Sequence, residues 1–215
     1  APPGGKIETV KGTIQFVSGV TGTPIEKIMA AATGPVFYQL YYIGGRDKSA
    51  PIIERVKKAG VSGLILTVDT PTIARPRDLP YIERRAVPYQ INLKEAIRFL
   101  PQIWNKPAWT AEFIKAGFPE PQVAMVLRPH GSPMGLFEGI AEIYKETPKW
   151  EDIPWIRRHW DGPLVIKGIL TVADAKRAVA EGADAIVISN HGCNVLDGSV
   201  STLPILTEIV EAVGD

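Results

Sequence analysis

The sequence predicts an α/β protein built on parallel strands, and three observations carry that reading. Apolar runs of strand length alternate with amphipathic stretches of about three helical turns. One stretch, Pro163 to Asp197, reads as a complete strand–helix–strand unit. Polar and titratable residues gather at the C-terminal ends of the apolar runs, the rim on which α/β barrels carry their chemistry.

Taken in order, residues 1–12 contain Pro2, Pro3, Gly4 and Gly5 and read as an irregular entry. Ile14 to Val17 is a short apolar run into Ser18-Gly19. Pro24 to Ala32 reads as a helix, with Thr23 as N-cap and Pro24 in its first position. Val36 to Tyr41 is aromatic-rich and strand-like. Lys48 to Ala59 is an amphipathic helix closed by Gly60, and Gly63 to Val68 is the next buried strand. From Thr70 to about Lys149 the rhythm breaks into a proline-rich stretch carrying Trp104 and Trp109. It reads as a long excursion on the rim that covers an active site, helical over 93–100 and 108–115. Trp150 to Trp160 restarts the pattern as a helix.

Leu164 to Ile166 then forms a strand ending on Lys167, and Thr171 is placed to cap a helix with Ala175, Ala178 and Val179 on its buried face. Gly182 stops that helix. Ala185 to Ser189 is a second buried strand, running into Asn190-His191-Gly192. A last helix spans Ser201 to Val213. Two parallel strands joined by a helix bring both C-terminal ends to one rim, so Lys167 and His191 become neighbours. The reading yields strands near 14–18, 36–41, 63–68, 163–167 and 185–190. Five strands cannot close an eight-stranded barrel, so this is part of a larger barrel or an open sheet. The barrel reading is the stronger, because a helix with no strand after it ends the sequence.

Composition narrows the class. With 24 basic against 23 acidic residues, there is no electrostatic claim on nucleic acid or an acidic membrane. Apolar runs are strand-sized, which predicts no membrane span, and no charged-then-apolar leader is visible. The lone cysteine, Cys193, excludes an internal disulfide and a cysteine-rich metal site, so no metal is expected. It suits a reducing, cytoplasmic compartment.

The polar strand ends are Ser18, Gln39 with Tyr41, Thr67 with Asp69, Lys167, and His191. Each alone could be turn punctuation. Together they converge on a flat polar ligand with hydrogen-bonding edges. His191 acts as a base if a partner fixes its tautomer, and Asp69 is the candidate partner. Otherwise it is a structural residue of its loop. His130 and His159 read as surface or structural residues. Lys167 has a buried stem and a head at the rim. It is either a Schiff-base nucleophile, as in an aldolase-like barrel, or a fixed positive charge beside a cofactor that becomes anionic.

The stretches FYQLY (37–41), LTVDTP (66–71), WEDIPW (150–155), KGI (167–169) and SNHG (189–192) followed by LDG (196–198) resemble the FMN-dependent α-hydroxy-acid dehydrogenases and oxidases. That resemblance covers nearly the whole chain and implies a (β/α)8 barrel, here about its second to sixth strands. It makes 1–215 a partial barrel domain, with 70–149 a long insertion after the fourth family strand. The family strands outside these five hold part of the flavin and substrate site and the FMN phosphate. It also implies that Gln39, Thr67 and Ser18 bind the flavin ring, and that Lys167 stands at the ring's N1/O2 edge. Tyr41 would face the substrate hydroxyl, and His191, oriented by Asp69, would be the base. The implied reaction takes a proton to His191 and a hydride equivalent to flavin N5. The implied substrate is a 2-hydroxy acid of the lactate, glycolate or mandelate kind. Oxygen, a quinone or a haem protein would accept the electrons, and the enzyme would be a homo-oligomer.

Two departures stand out. Where the family has a second glycine and a carboxylate-clamping arginine after SNHG, this chain has Cys193 and Asn194, and asparagine cannot form the charged bidentate pair. The arginine-containing segment after TVDTP is one residue shorter, leaving Arg75 or Arg77 as the second substrate-binding arginine. Asn194, with the run from Trp150 to Pro163, is similar to the mycofactocin-associated branch, which implies a modified peptide end as the alternative substrate.

Overall fold

The computed structural model describes residues 13–70, 97, 100–101, 103–116 and 146–214. Five strands form one sheet in sequence order: β1 (Gln15–Ser18), β2 (Val36–Tyr41), β3 (Gly63–Thr67), β4 (Leu164–Ile169) and β5 (Ala185–Ile188). Every neighbouring pair is parallel. A doubly wound open sheet reverses its strand order at a switch point, whereas a barrel adds each strand beside the last. The unbroken order β1 to β5 is the barrel's, and the sheet is a five-strand part of a (β/α)8 barrel.

Six helices are described: α1 (Ile25–Ala31), α2 (Gly45–Ala59), α3 (Pro107–Ala116), α4 (Asp152–His159), α5 (Val172–Ala180) and α6 (Thr202–Val213). Alternate strand residues point to opposite faces. Val36, Tyr38 and Leu40, then Leu64 and Leu66, then Leu164 and Ile166, form the core with Ile28, Ile53, Val56, Ile156, Ala175 and Ala178 of the helices. The other face carries Gln39 and Tyr41, Thr67, and Lys167. Register sets these at shared levels: Ser18 lies beside Gln39, and Tyr41, Thr67 and Lys167 stand in a row.

Several boundaries differ from the expectations, each for a local reason. Pro24 is the N-cap of α1 and not its first residue; no side chain caps the helix, so Thr23 does not have that role. Helix α2 begins at Gly45, before the expected Lys48, because Gly44 and Gly45 take left-handed angles that turn the chain directly into it. Thr171 does cap α5, its hydroxyl accepting from the Asp174 N–H at 3.0 Å. Val179, expected on the buried face, is 50 % exposed; the small Ala175 and Ala178 make the contact instead. Strand β5, expected to be buried, is only partly covered, since it has one neighbour in the sheet. Of the helix expected at 93–100, only Ile97 and Leu100 are among the described residues, and both are helical.

The return from the 70–149 excursion is pinned at Asp152, which is buried at the start of α4. It accepts from Arg46 Nε and from the Lys149 N–H, both at 2.8 Å. Among the described residues no helix is long and apolar enough to cross a membrane, and no cluster of His, Cys, Asp or Glu could hold a metal ion.

Candidate active site

Asp69 stands two residues beyond the end of β3, and its carboxylate side chain is 4 % exposed. Three side chains converge on it. Lys167 Nζ, from β4, donates to Oδ2 at 2.7 Å. The Ser189 hydroxyl, just past β5, donates to the same oxygen at 2.6 Å. His191 Nδ1 lies 2.8 Å from Oδ1. Burial pushes the Asp69 carboxyl up, but the hydrogen bonds from His191, Lys167 and Ser189 outweigh it and hold the group below its ordinary value. An ionised carboxylate only accepts, so His191 Nδ1 must carry the proton and Nε2 is left as the basic nitrogen. Lys167 Nζ is also 3.5 Å from Nδ1. Both atoms are donors in this arrangement, so that approach places a positive charge beside the ring without a hydrogen bond.

Close approach at this point depends on Gly168. Its φ is +119°, and a Cβ there would lie 2.6 Å from Asp69 Cβ and 2.7 Å from the Asp69 backbone N. The register between β4 and β5 shifts at the same place, between Lys167 and Ile169. A bare, left-handed residue therefore lets the end of β3 fold against β4 and bring its carboxylate to the lysine.

His191 opens a tight 3₁₀ turn that is strained: His191, Gly192 and Cys193 all have positive φ. Side chains hold it in place. The His191 N–H donates to Ser189 Oγ at 3.1 Å, and the Gly192 N–H donates to Asn190 Oδ1 at 3.0 Å. Asn190 Nδ2 reaches across to the Val200 carbonyl.

The other half of the rim is uncharged. Gln39 Nε2 donates to Thr67 Oγ1 at 2.9 Å and reaches Tyr41 Oη at 3.4 Å. Ser18 bonds Tyr41; burial, opposed by that bond and helped by the Asp69 charge, raises the Tyr41 phenol above its ordinary value. Thr67 is 2 % exposed and sits between the halves, one strand level below Asp69.

The structure thus brings together Ser18, Gln39, Tyr41 and Thr67 in one hydrogen-bonded group on two adjacent strand levels, and Asp69, Lys167 and His191 in one cluster. Asn194 follows the His191 turn and is exposed, its N–H donating to the His191 carbonyl. Arg75, Arg77 and His130 lie outside the described residues. His159 is on α4, bonded to the Trp155 carbonyl and packed on the Trp155 ring, away from the cluster. Sequence reasoning passed over Ser189 and Gly168. The signal for Ser189 was its position two residues before His191, on the same strand face as Val187 and, across β4, Lys167.

A family model described as FMN-dependent dehydrogenase matches residues 7–215. Pre-mycofactocin synthase of Mycobacterium tuberculosis is 36 % identical over 99 % of this chain and 54 % of its own length. L-lactate dehydrogenase of Vibrio cholerae is 37 % identical over 94 % of this chain and 53 % of its own. A crystal structure of (S)-mandelate dehydrogenase, a monotopic membrane protein, superposes with a TM-score of 0.74 at 27 % identity, covering 95 % of this chain and 53 % of that one. The chain spans about half the length of the curated relatives it matches.

Proposed function

Because the chain belongs to the FMN-dependent dehydrogenase family, we propose that its protein oxidises a 2-hydroxy acid to the 2-oxo acid with His191 as base. The observation that carries this is the Asp69–His191 pair at 2.8 Å, which protonates Nδ1 and leaves Nε2 free to take a proton. The donor set of the rim fits a flavin ring: an amide at Gln39, hydroxyls at Thr67 and Ser18, and an ammonium at Lys167, on adjacent strands of one face. Bound there, FMN supplies the acceptor for the two electrons that leave the substrate carbon.

The residues of this chain supply the rest. His191 takes the proton, and the buried Asp69 carboxylate stabilises the imidazolium that results. Two cations then share that carboxylate, since Lys167 already holds Oδ2. The Lys167 charge is thereby left to offset negative charge that develops along the rim. Tyr41, kept protonated by its burial, can donate to the substrate. The family places Lys167 among flavin enzymes, so the Schiff-base reading is set aside.

A second reading has its own observation. Asn194 stands exposed after the His191 turn where an arginine would clamp a carboxylate, which favours a modified peptide end over a free hydroxy acid. Arg75 or Arg77 would supply the anchor in the hydroxy-acid case. The proposal includes a homo-oligomeric enzyme without a nucleic-acid partner, and a cytoplasmic location suited to one cysteine in 215 residues. The test is anaerobic bleaching of the flavin by lactate, glycolate and mandelate against peptide-linked alcohols, using the product of the complete gene. Bleaching by a hydroxy acid supports the first reading and bleaching by peptides alone the second; no bleaching by either contradicts both.

A further inference from the structure

The hydroxyl of Ser189 makes three contacts at once. It donates to Asp69 Oδ2 at 2.6 Å, accepts from Lys167 Nζ at 3.0 Å, and accepts from the His191 N–H at 3.1 Å. It therefore touches the side chains of Asp69 and Lys167 and ties the backbone of His191, whose φ of 53° is strained for a non-glycine residue. The geometry has one weak point. Lys167 Nζ is 3.5 Å from His191 Nδ1, and both are donors competing for one carboxylate. Without a further group on Oδ2, the ammonium can slide toward Oδ1 and displace the imidazole.

We propose that Ser189 is a positioning residue that keeps Lys167 on Asp69 Oδ2 and so reserves Oδ1 for His191. The hydroxyl accepts one of the three ammonium protons and gives its own proton to Oδ2, fixing the lysine on that side. Its third contact, to the His191 N–H, holds the strained turn at the angle that aims Nδ1 at Oδ1. No other described side chain bonds Lys167, Asp69 and His191 together. This deepens the reading of His191 as base, and rests on it for the consequence in catalysis. The consequence for the imidazole tautomer stands independently.

A residue that merely shaped the loop would affect stability without touching the tautomer, and that separates the two roles. The experiment follows ¹⁵N shifts of the imidazole nitrogens in the FMN-loaded, full-length protein, with His191 assigned by its loss in H191Q. In the wild type, Nδ1 reads as protonated and Nε2 as bare. In S189A the two shifts move toward each other as the tautomers mix, and in S189T, which keeps the hydroxyl, they return. Flavin reduction slows about 10- to 100-fold in S189A, the range for a lost bond to a charged group, and substrate KM holds. Should S189A not fold, S189C fills the same space with a weak donor and acceptor and is judged by the same shifts. Wild-type shifts in the hydroxyl-free variant, or no recovery in S189T, would overturn the proposal. If the wild type bleaches with no substrate, the functional reading fails while the shifts still decide the role of Ser189.

Discussion

The two halves of the rim use opposite chemistry on the same scaffold. On β1, β2 and β3, Ser18, Gln39, Tyr41 and Thr67 are neutral and partner one another. Beyond β3, on β4 and past the end of β5, Asp69, Lys167, Ser189 and His191 form a charged cluster around one buried carboxylate. Strand β3 serves both, through Thr67 at its end and Asp69 two residues beyond it. Losing a neutral partner leaves a hydroxyl or amide short of one bond, which costs about 1–3 kcal/mol where the group is buried. Losing a charged partner leaves a buried ion uncompensated, which costs about 3–5 kcal/mol. The neutral half is therefore suited to holding a flat ligand, and the charged half to moving a proton.

The sharpest way to break this contrast is at Asp69. Asp69→Asn removes the charge that stabilises an imidazolium and, with its amide hydrogens, disturbs the His191 tautomer. Flavin reduction is expected to fall by about 10²- to 10⁴-fold, followed by anaerobic stopped flow. The pH dependence of stability follows with a definite sign. Asp69 titrates lower in the fold than in the unfolded chain, so its contribution is present above the unfolded value of about 4 and is lost as pH falls through the lower folded value. Denaturant melts of Asp69→Asn should therefore lose less stability than wild type over that acid window.

Next in size is Gly168→Ala. A methyl group at φ +119° meets the Asp69 backbone N at 2.7 Å, so both the backbone and the carboxylate must shift. A loss of about 2 kcal/mol or more in unfolding free energy is expected, with flavin reduction slowed by the displaced Asp69. Unchanged stability would mean that the close packing of β3 on β4 is not needed. The smallest effect belongs to the neutral half. Thr67→Val deletes the acceptor of Gln39 at nearly constant volume, and FMN binding should weaken only about 2- to 10-fold by fluorescence titration. A loss as large as that at Asp69 would erase the distinction between the halves.

How much of this was legible in the sequence differs between the halves. Strand ends and their polar residues are readable from apolar runs bounded by turn residues, and parallel strand order then gathers Ser18, Gln39, Tyr41 and Thr67 on one rim. The pairing of Asp69 with His191 was readable as chemistry, because a catalytic imidazole needs an acceptor and few carboxylates end an apolar strand. That Lys167 shares this carboxylate with Ser189 was not readable. It depends on a register shift at Gly168 between β4 and β5, on a left-handed turn at His191, and on a carboxylate that lies 98 residues from Lys167 in the chain. Local signals behaved similarly. Thr171 caps its helix because the Asp174 N–H falls within its reach, whereas Thr23 lost the cap to Pro24, whose carbonyl accepts from the Lys27 and Ile28 N–H groups. Val179 was read onto the buried face by spacing alone, and the small alanines beside it took the contact.

The central claim is that one buried carboxylate couples the imidazole to the ammonium at a single working site. A double-mutant cycle on flavin reduction tests it most directly, with Asp69→Asn, His191→Gln and the pair combined in the FMN-loaded protein. Groups that act as a unit are non-additive, so the double variant should be no slower than the slower single. If the two losses multiply, Asp69 and His191 act independently, and the account of the charged cluster is wrong.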